Sequence, residues 1–172
     1  MNNNNSIKMI VFGDIMLSRK VGDLIKNNEF SLDTKLIEKI IGNDIVFGNL
    51  ESILSNKGKL GKCKYCFRAN PLAIKILKNL LITDVSVVNN HMADYGYDAW
   101  YQSVSLLNKS NISTVGNYYN LPDPLIKLIN HKIIAIYALK MLNNHIYTNL
   151  HLKKINICFN YTSLYLNVSY NF

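Results

Sequence analysis

Apolar residues fall along the chain in short continuous runs separated by stretches of helical periodicity. Residues 8–12 (KMIVF) have the look of a buried strand, which Gly13-Asp14 is expected to end. Ser18 then stands where a helix N-cap would, with Val21, Leu24 and Ile25 at helical spacing. Ser31 is placed to cap a second helix that carries Leu36, Ile37, Ile40 and Ile41 on one face and stops at Gly42. Residues 44–47 (DIVF) read as a second strand running into Gly48-Asn49-Leu50-Glu51, and residues 52–68 as a Lys/Gly-rich loop.

The rhythm continues beyond that loop. Asn70-Pro71 is a helix start, with Leu72, Ile76 and Leu80 as its apolar stripe. A third strand over residues 84–88 ends in the polar stretch NNHMADYG. A helix over 97–109 follows, with Trp100, Val104 and Leu107 in register, then a short strand over 112–115 and Gly116. Past a turn at Asp123-Pro124, LIKLI and KIIAIYAL flank Asn130-His131 as a β-hairpin would. Strands alternating with helices make this an α/β fold.

In three successive units the chemically capable residues sit at the end of the strand: Asp14 in the first, Asn49 and Glu51 in the second, Asn90 and His91 in the third. Open α/β sheets bind ligands outside the carboxyl ends of their strands, so the three clusters predict one site. Carboxylate, amide oxygen and imidazole form a hard to borderline donor set suited to Mn, Mg, Zn or Fe. Each residue has a plainer alternative: Asp14 as a turn residue, the asparagines as turn formers, His91 as a hydrogen-bonded structural histidine, Glu51 as a solvated charge. The coincidence at three strand ends favours the metal site.

Composition narrows the class. The chain has 172 residues, 49% of them hydrophobic, enough for about one domain with a real core. No apolar window approaches the roughly 20 residues of a membrane span, and the Asn-rich start resembles no signal peptide, so the expected location is cytoplasmic. The net charge of +8 is uneven: residues 1–123 contribute +3, whereas 124–172 contain five lysines and no acid. Aromatics do not interleave with Lys and Arg in any recognisable module, which argues against nucleic-acid binding. Cys63-x-x-Cys66 has no second CxxC, and without a secretion signal the thiols are expected to be reduced.

Four segments carry a family resemblance: GDIMLSRKVG (13–22), DIVFGNLESIL (44–54), FRANPLAIKILK (67–78) and VSVVNNHMADYGYDAW (85–100), followed by VGN (115–117). In order and spacing they resemble the bacterial capsule synthesis, or poly-γ-glutamate biosynthesis (CapA-like), proteins. That family is in turn similar to the calcineurin-like metallophosphoesterases. The resemblance implies a metallophosphoesterase-like sheet sandwich flanked by helices, of which this chain would hold the N-terminal half. It implies Asp14 as a metal ligand, Asn49 in the place of a metal-bridging Asp with Glu51 compensating, and Asn90 as a further ligand. His91 would be the proton donor to a leaving oxygen, with Asp94 orienting it or holding the loop. It also implies two divalent cations in an intact member, a phosphate-containing substrate or anionic polymer, and capsule-synthesis machinery at the membrane as partner. A non-catalytic remnant or partner-binding domain of the same fold is the alternative.

The expected organisation is a disordered segment over 1–7, the CapA-like domain over 8–140 and an atypical tail over 141–172. From Leu125 onward there is no Gly, Pro, Asp or Glu. A tail dominated by Asn, Ile, Tyr, Leu, Lys and Phe is what AT-rich DNA read out of frame would give, with a junction near residues 138–145. A genuine short domain with a strand-rich edge is the other reading. His145 and His151 lack the flanking glycines of strand-end ligands and receive no role.

Overall fold

A run such as IVF at residues 45–47 is stable only where both faces of the strand are covered, and the second strand sits in that position. The protein is represented by a computed structural model that describes residues 6–119, 124–139, 156–160 and 163–169. Strands β1 (Met9–Ile15) and β2 (Ile45–Leu50) are parallel and enclose the helices α1 (Arg19–Lys26) and α2 (Thr34–Ile40) in sequence. After a two-stranded ribbon, β3 (Ile53–Leu54) with β4 (Arg68–Ala69), a 3₁₀ turn over Pro71–Ala73 leads into α3 (Ile74–Asn79). Then come β5 (Asp84–Ser86), α4 (Tyr97–Lys109) and β6 (Ser113–Val115). The first sheet has the order β1-β2-β5-β6, all parallel. The α/β assignment, with a parallel sheet and four α-helices among the described residues, is therefore correct.

A second sheet lies against the first. Hairpin β7 (Leu125–Ile129) and β8 (Lys132–Leu139) is followed by β9 (Asn156–Asn160) and β10 (Ser163–Ser169), in the antiparallel order β7-β8-β10-β9. Alternation along β2 then divides its side chains between two cores. Val46 and Leu50 join the larger cluster with Leu77, Trp100, Leu107 and other residues. Ile45 and Phe47 join a smaller one with Val88, Val115, Ile134, Ile136 and Ala138. The hairpin turn is made by Asn130 (φ 49°) and His131 (φ 62°), left-handed at both positions as a tight two-residue turn requires.

Several element bounds differ from the sequence expectation, each for a tertiary reason. The first strand continues through Gly13-Asp14 to Ile15, because β2 offers it partners beyond a register irregularity between Val11 and Asp14. Asp33, not Ser31, caps α2, with its side chain accepting a hydrogen bond from the Lys35 amide at 2.9 Å. Leu72 is half exposed, so the buried face of the segment 71–80 is Ala73, Ile76, Leu77 and Leu80. The turn at Asp123 and the segments containing His145 and His151 lie outside the described residues, as does most of the expected N-terminal segment. No helix among the described residues is long and apolar enough to cross a membrane.

One ion pair ties the second sheet to the first. Asp84, fully buried at the start of β5, takes both carboxylate oxygens to Lys127 Nζ on β7, at 2.6 and 2.5 Å, and accepts from Thr83 Oγ1 at 2.6 Å. Removing one partner of a buried pair strands the other charge, which costs about 3–5 kcal/mol. Lys127→Met is accordingly expected to lower the urea-unfolding free energy by about that amount, and Asp84→Asn in the same chain to restore most of the loss. Equal stabilities of Lys127→Met and the unsubstituted chain would show that the pair does not join the sheets.

Candidate functional site

The parallel pairing brings the ends of β1, β2 and β5 side by side. In the register of β1 and β2, Asp14 is the partner of Asn49. Asn49 is 2% exposed, and its side-chain amide is the centre of the cluster. Asn49 Nδ2 donates to Asp14 Oδ1 at 2.7 Å and to Glu51 Oε2 at 3.0 Å. Its Oδ1 accepts from Asn89 Nδ2 at 3.1 Å, and Asn89 Nδ2 also donates to the Leu50 carbonyl at 2.9 Å. The cluster is open at the Asp14 end, where that residue is exposed.

His91 stands on the other side of Glu51. Its backbone N–H donates to Asn89 Oδ1 at 2.9 Å, which fixes the start of the turn that carries it. Its Nδ1 lies 2.9 Å from the buried Asp94 Oδ2, and its Nε2 lies 3.5 Å from Glu51 Oε1. With Nδ1–H donated to Asp94, Nε2 is the nitrogen turned to the cluster. Asp94 Oδ2 is itself held by the Phe67 N–H at 2.7 Å, and the Phe67 ring lies 4.1 Å from the His91 ring between centroids. Arg19 covers Phe67 on this side, its guanidinium carbon 4.6 Å from the ring centroid. Arg19 has φ 54°, a left-handed conformation that costs a residue with a Cβ of order 1 kcal/mol.

The loop over 52–68 is fastened beneath this turn. Leu17 N–H donates to the fully buried Ser52 Oγ at 3.0 Å, and Gln102 Oε1 on α4 accepts from Ser55 Oγ at 2.6 Å and from the Asn56 N–H at 3.0 Å. Gly58 has φ 78°, and a Cβ there would meet the Tyr95 carbonyl oxygen at 2.0 Å. Only glycine fits that approach.

Charge is concentrated at the strand ends. Burial, then the nearby Asp14 carboxylate, raises the Glu51 pKa above its ordinary value, with His91 and the Asn49 amide acting in the opposite sense. Two carboxylates thus face one point, which the Nδ2 of Asn49 fills. The two carboxylate oxygens there are donors of the kind a divalent cation takes. His91, on the far oxygen of Glu51, is better placed to handle a proton than to join that set.

All six residues expected at the site fall at this end of the sheet or in the turn beyond it, but not all enter the network. Asp14, Asn49, Glu51, His91 and Asp94 are linked as described. Asn90 is exposed, and the amide inside the network is that of Asn89. Sequence reasoning also passed over Phe67 and Arg19. Phe67 opens one of the four motif segments, and Arg19 lies within another, so their positions were marked but their contacts were not. Cys63 and Cys66, expected as free thiols, are joined by a disulfide with Cα atoms 5.8 Å apart, within the span such a bond bridges.

Comparison with known proteins covers the stretch that contains these residues. Residues 8–156 match the family described as bacterial capsule synthesis protein PGA_cap. The chain is 27% identical over 127 residues to the PGA biosynthesis protein CapA of Bacillus subtilis (strain 168), covering 72% of this chain and 33% of that protein. It is 26% identical over 125 residues to the capsule biosynthesis protein CapA of Bacillus anthracis, covering 70% of this chain and 30% of that one. The chain thus spans about a third of the length of these relatives.

The raised Glu51 pKa has a defined effect on stability. A carboxyl whose folded pKa lies above its unfolded value binds more protons folded than unfolded, so stability falls as pH rises between the two values. In chelator-treated protein, Glu51→Gln is expected to raise the thermal midpoint at pH 7 and to remove part of that decline just above pH 4.5, the ordinary carboxyl value. A midpoint lowered at every pH would show instead that the Glu51 carboxylate is held by net favourable contacts.

Proposed function

The chain belongs to the bacterial capsule synthesis protein family, and on that premise we propose that it carries a metal-dependent, phosphoesterase-like site serving capsule or poly-γ-glutamate synthesis. The observation that carries this reading is the convergence of the Asp14 and Glu51 carboxylates on one point at the strand ends, with His91 directly behind Glu51. The pairing of a parallel sheet with a second, antiparallel sheet supports a metallophosphoesterase-like sandwich flanked by helices. Residues 8–140 would form that domain, and β9 and β10 from the tail beyond it extend its antiparallel sheet along β8. The substrate class is a phosphate-containing compound or anionic polymer, and the partner is capsule-synthesis machinery at the membrane.

Asp14, Glu51 and an amide oxygen from Asn49 or the exposed Asn90 would hold the cation, of the Mn, Mg, Zn or Fe class, with two such ions in the complete family site. Bound there, the cation would polarise a phosphate oxygen and lower the pKa of a bound water. The remaining roles fall to the chain itself. Asp94 fixes the His91 ring through Nδ1, so that Nε2 presents its proton toward the cluster when the ring is charged. His91 then passes that proton to the leaving oxygen, a contribution of about 10²–10⁴ in rate for a positioned general acid. Phe67 covers the imidazole and limits water at it, and Arg19 beside Phe67 offers a fixed positive charge to an anionic substrate.

One observation favours a second reading, a non-catalytic domain of the same fold that binds a partner. The Asn49 amide satisfies both carboxylates by hydrogen bonds alone, so the cluster closes without an ion. Metal analysis together with turnover separates the two. Protein loaded with Mn²⁺ is expected to retain the ion through gel filtration and to hydrolyse bis(p-nitrophenyl) phosphate. Asp14→Ala should lose the ion, whereas His91→Ala should keep it and lose about 10²-fold or more in turnover. Absence of both retained metal and hydrolysis in the unsubstituted chain would leave the non-catalytic reading standing.

A further inference from the structure

The Cys63–Cys66 pair lies against the residue that orients His91. Among the described residues, Cys63, Cys66 and Asp94 are the one group of three His, Cys, Asp or Glu side chains whose donor atoms all lie within 4.8 Å of one another. We propose that, once its disulfide is reduced, this chain binds a zinc-type cation through the Cys63 and Cys66 thiolates and the Asp94 carboxylate. The site is distinct from the carboxylate cluster of Asp14 and Glu51, and it stands whether or not that cluster holds an ion.

Three features support it. Zinc–sulfur and zinc–oxygen bonds of about 2.0–2.3 Å place tetrahedral donors roughly 3.3–3.8 Å apart, so side chains already this close need only small movements to close on an ion. The backbone holds the loop to its third donor at both ends: the Gly61 N–H donates to the Asp94 carbonyl at 2.7 Å, and the Phe67 N–H to Asp94 Oδ2 at 2.7 Å. Two soft thiolates with one carboxylate select zinc over the harder Mg or Mn. Lys62 and Lys64 flank Cys63 in sequence and offset part of the excess negative charge of three anionic donors around a divalent ion.

The chemistry balances without further parts. A phosphine reductant and one water convert the disulfide to two thiols and the phosphine oxide. Binding then releases two protons as the thiols become thiolates. Asp94 Oδ2 remains available to His91 Nδ1. The fourth tetrahedral position is open to water.

Cobalt(II) reports sulfur ligation directly, because a thiolate ligand gives an intense near-ultraviolet charge-transfer absorption that carboxylate and imidazole ligands do not. The whole chain, reduced with a phosphine and freed of metal, is expected to develop this absorption on titration with Co²⁺ and to lose it when Zn²⁺ is added. Cys63→Ser and Cys66→Ser should each weaken or abolish it, and Asp94→Asn should lower the Co²⁺ affinity about tenfold or more. Asp94 is buried, so its variant counts only if it unfolds cooperatively; neither cysteine is buried in the core, which keeps the test independent of it. Ion bound at Asp14 and Glu51 stays silent in this band. No charge-transfer absorption from the reduced chain, or an absorption unchanged in Cys63→Ser and Cys66→Ser, overturns the proposal.

Discussion

The side-chain amide of Asn49 holds together two carboxylates that would otherwise repel each other, and the arrangement of the strand ends depends on it. Asp14 reaches it from β1 and Glu51 from just beyond β2, and both accept from the same nitrogen. Its oxygen in turn anchors Asn89, which sets the turn bearing His91. One buried neutral group thereby links three strand ends. A charged residue of the wrong sign there would leave the two acids facing a third, while an apolar one would leave them without that donor.

That amide can occupy its place only because β2 is covered on both faces. Val46 and Leu50 pack toward the helices, Ile45 and Phe47 toward β8. Gly48, between them, admits the Ile15 side chain so closely that a Cβ would lie 2.4 Å from its Cδ1. β1 therefore runs close enough for Asp14 to meet Asn49 in register. The Asp84–Lys127 pair fastens the second sheet over the opposite face, so the packing that buries β2 and the geometry of the site are the same constraint seen at two ends of one strand.

Much of this was legible in the sequence, and the remainder fails for identifiable reasons. Helix α4 was found at its observed bounds because Gly96, with φ 78°, and the Trp100 and Leu107 periodicity are local signals. The hairpin at Asn130-His131 was likewise local. The ends of β1 and β2 were not, since Gly13-Asp14 and Gly48-Asn49 read as terminators until a neighbouring strand supplies the hydrogen bonds. The identity of the inner amide had the same origin: Asn89 and Asn90 are chemically equal, and only the turn geometry decides that Asn89 points inward. Asp33 replaced Ser31 as a cap because two competent residues stood two apart, which sequence alone does not rank. The strand-end location of the site was legible because it follows from topology, whereas the contacts of Phe67 and Arg19 depend on a loop closure that no periodicity encodes.

In the proposed function, the point between Asp14 and Glu51 is a cation site that the Asn49 amide fills when no ion is bound. Anomalous diffraction from a crystal soaked in Mn²⁺ tests this most directly. The expected result is a manganese peak bonded to both carboxylates, with Asn49 Nδ2 no longer donating to them. A fully accessible cluster with no peak at that point, and Asn49 Nδ2 still donating to both acids, would contradict it.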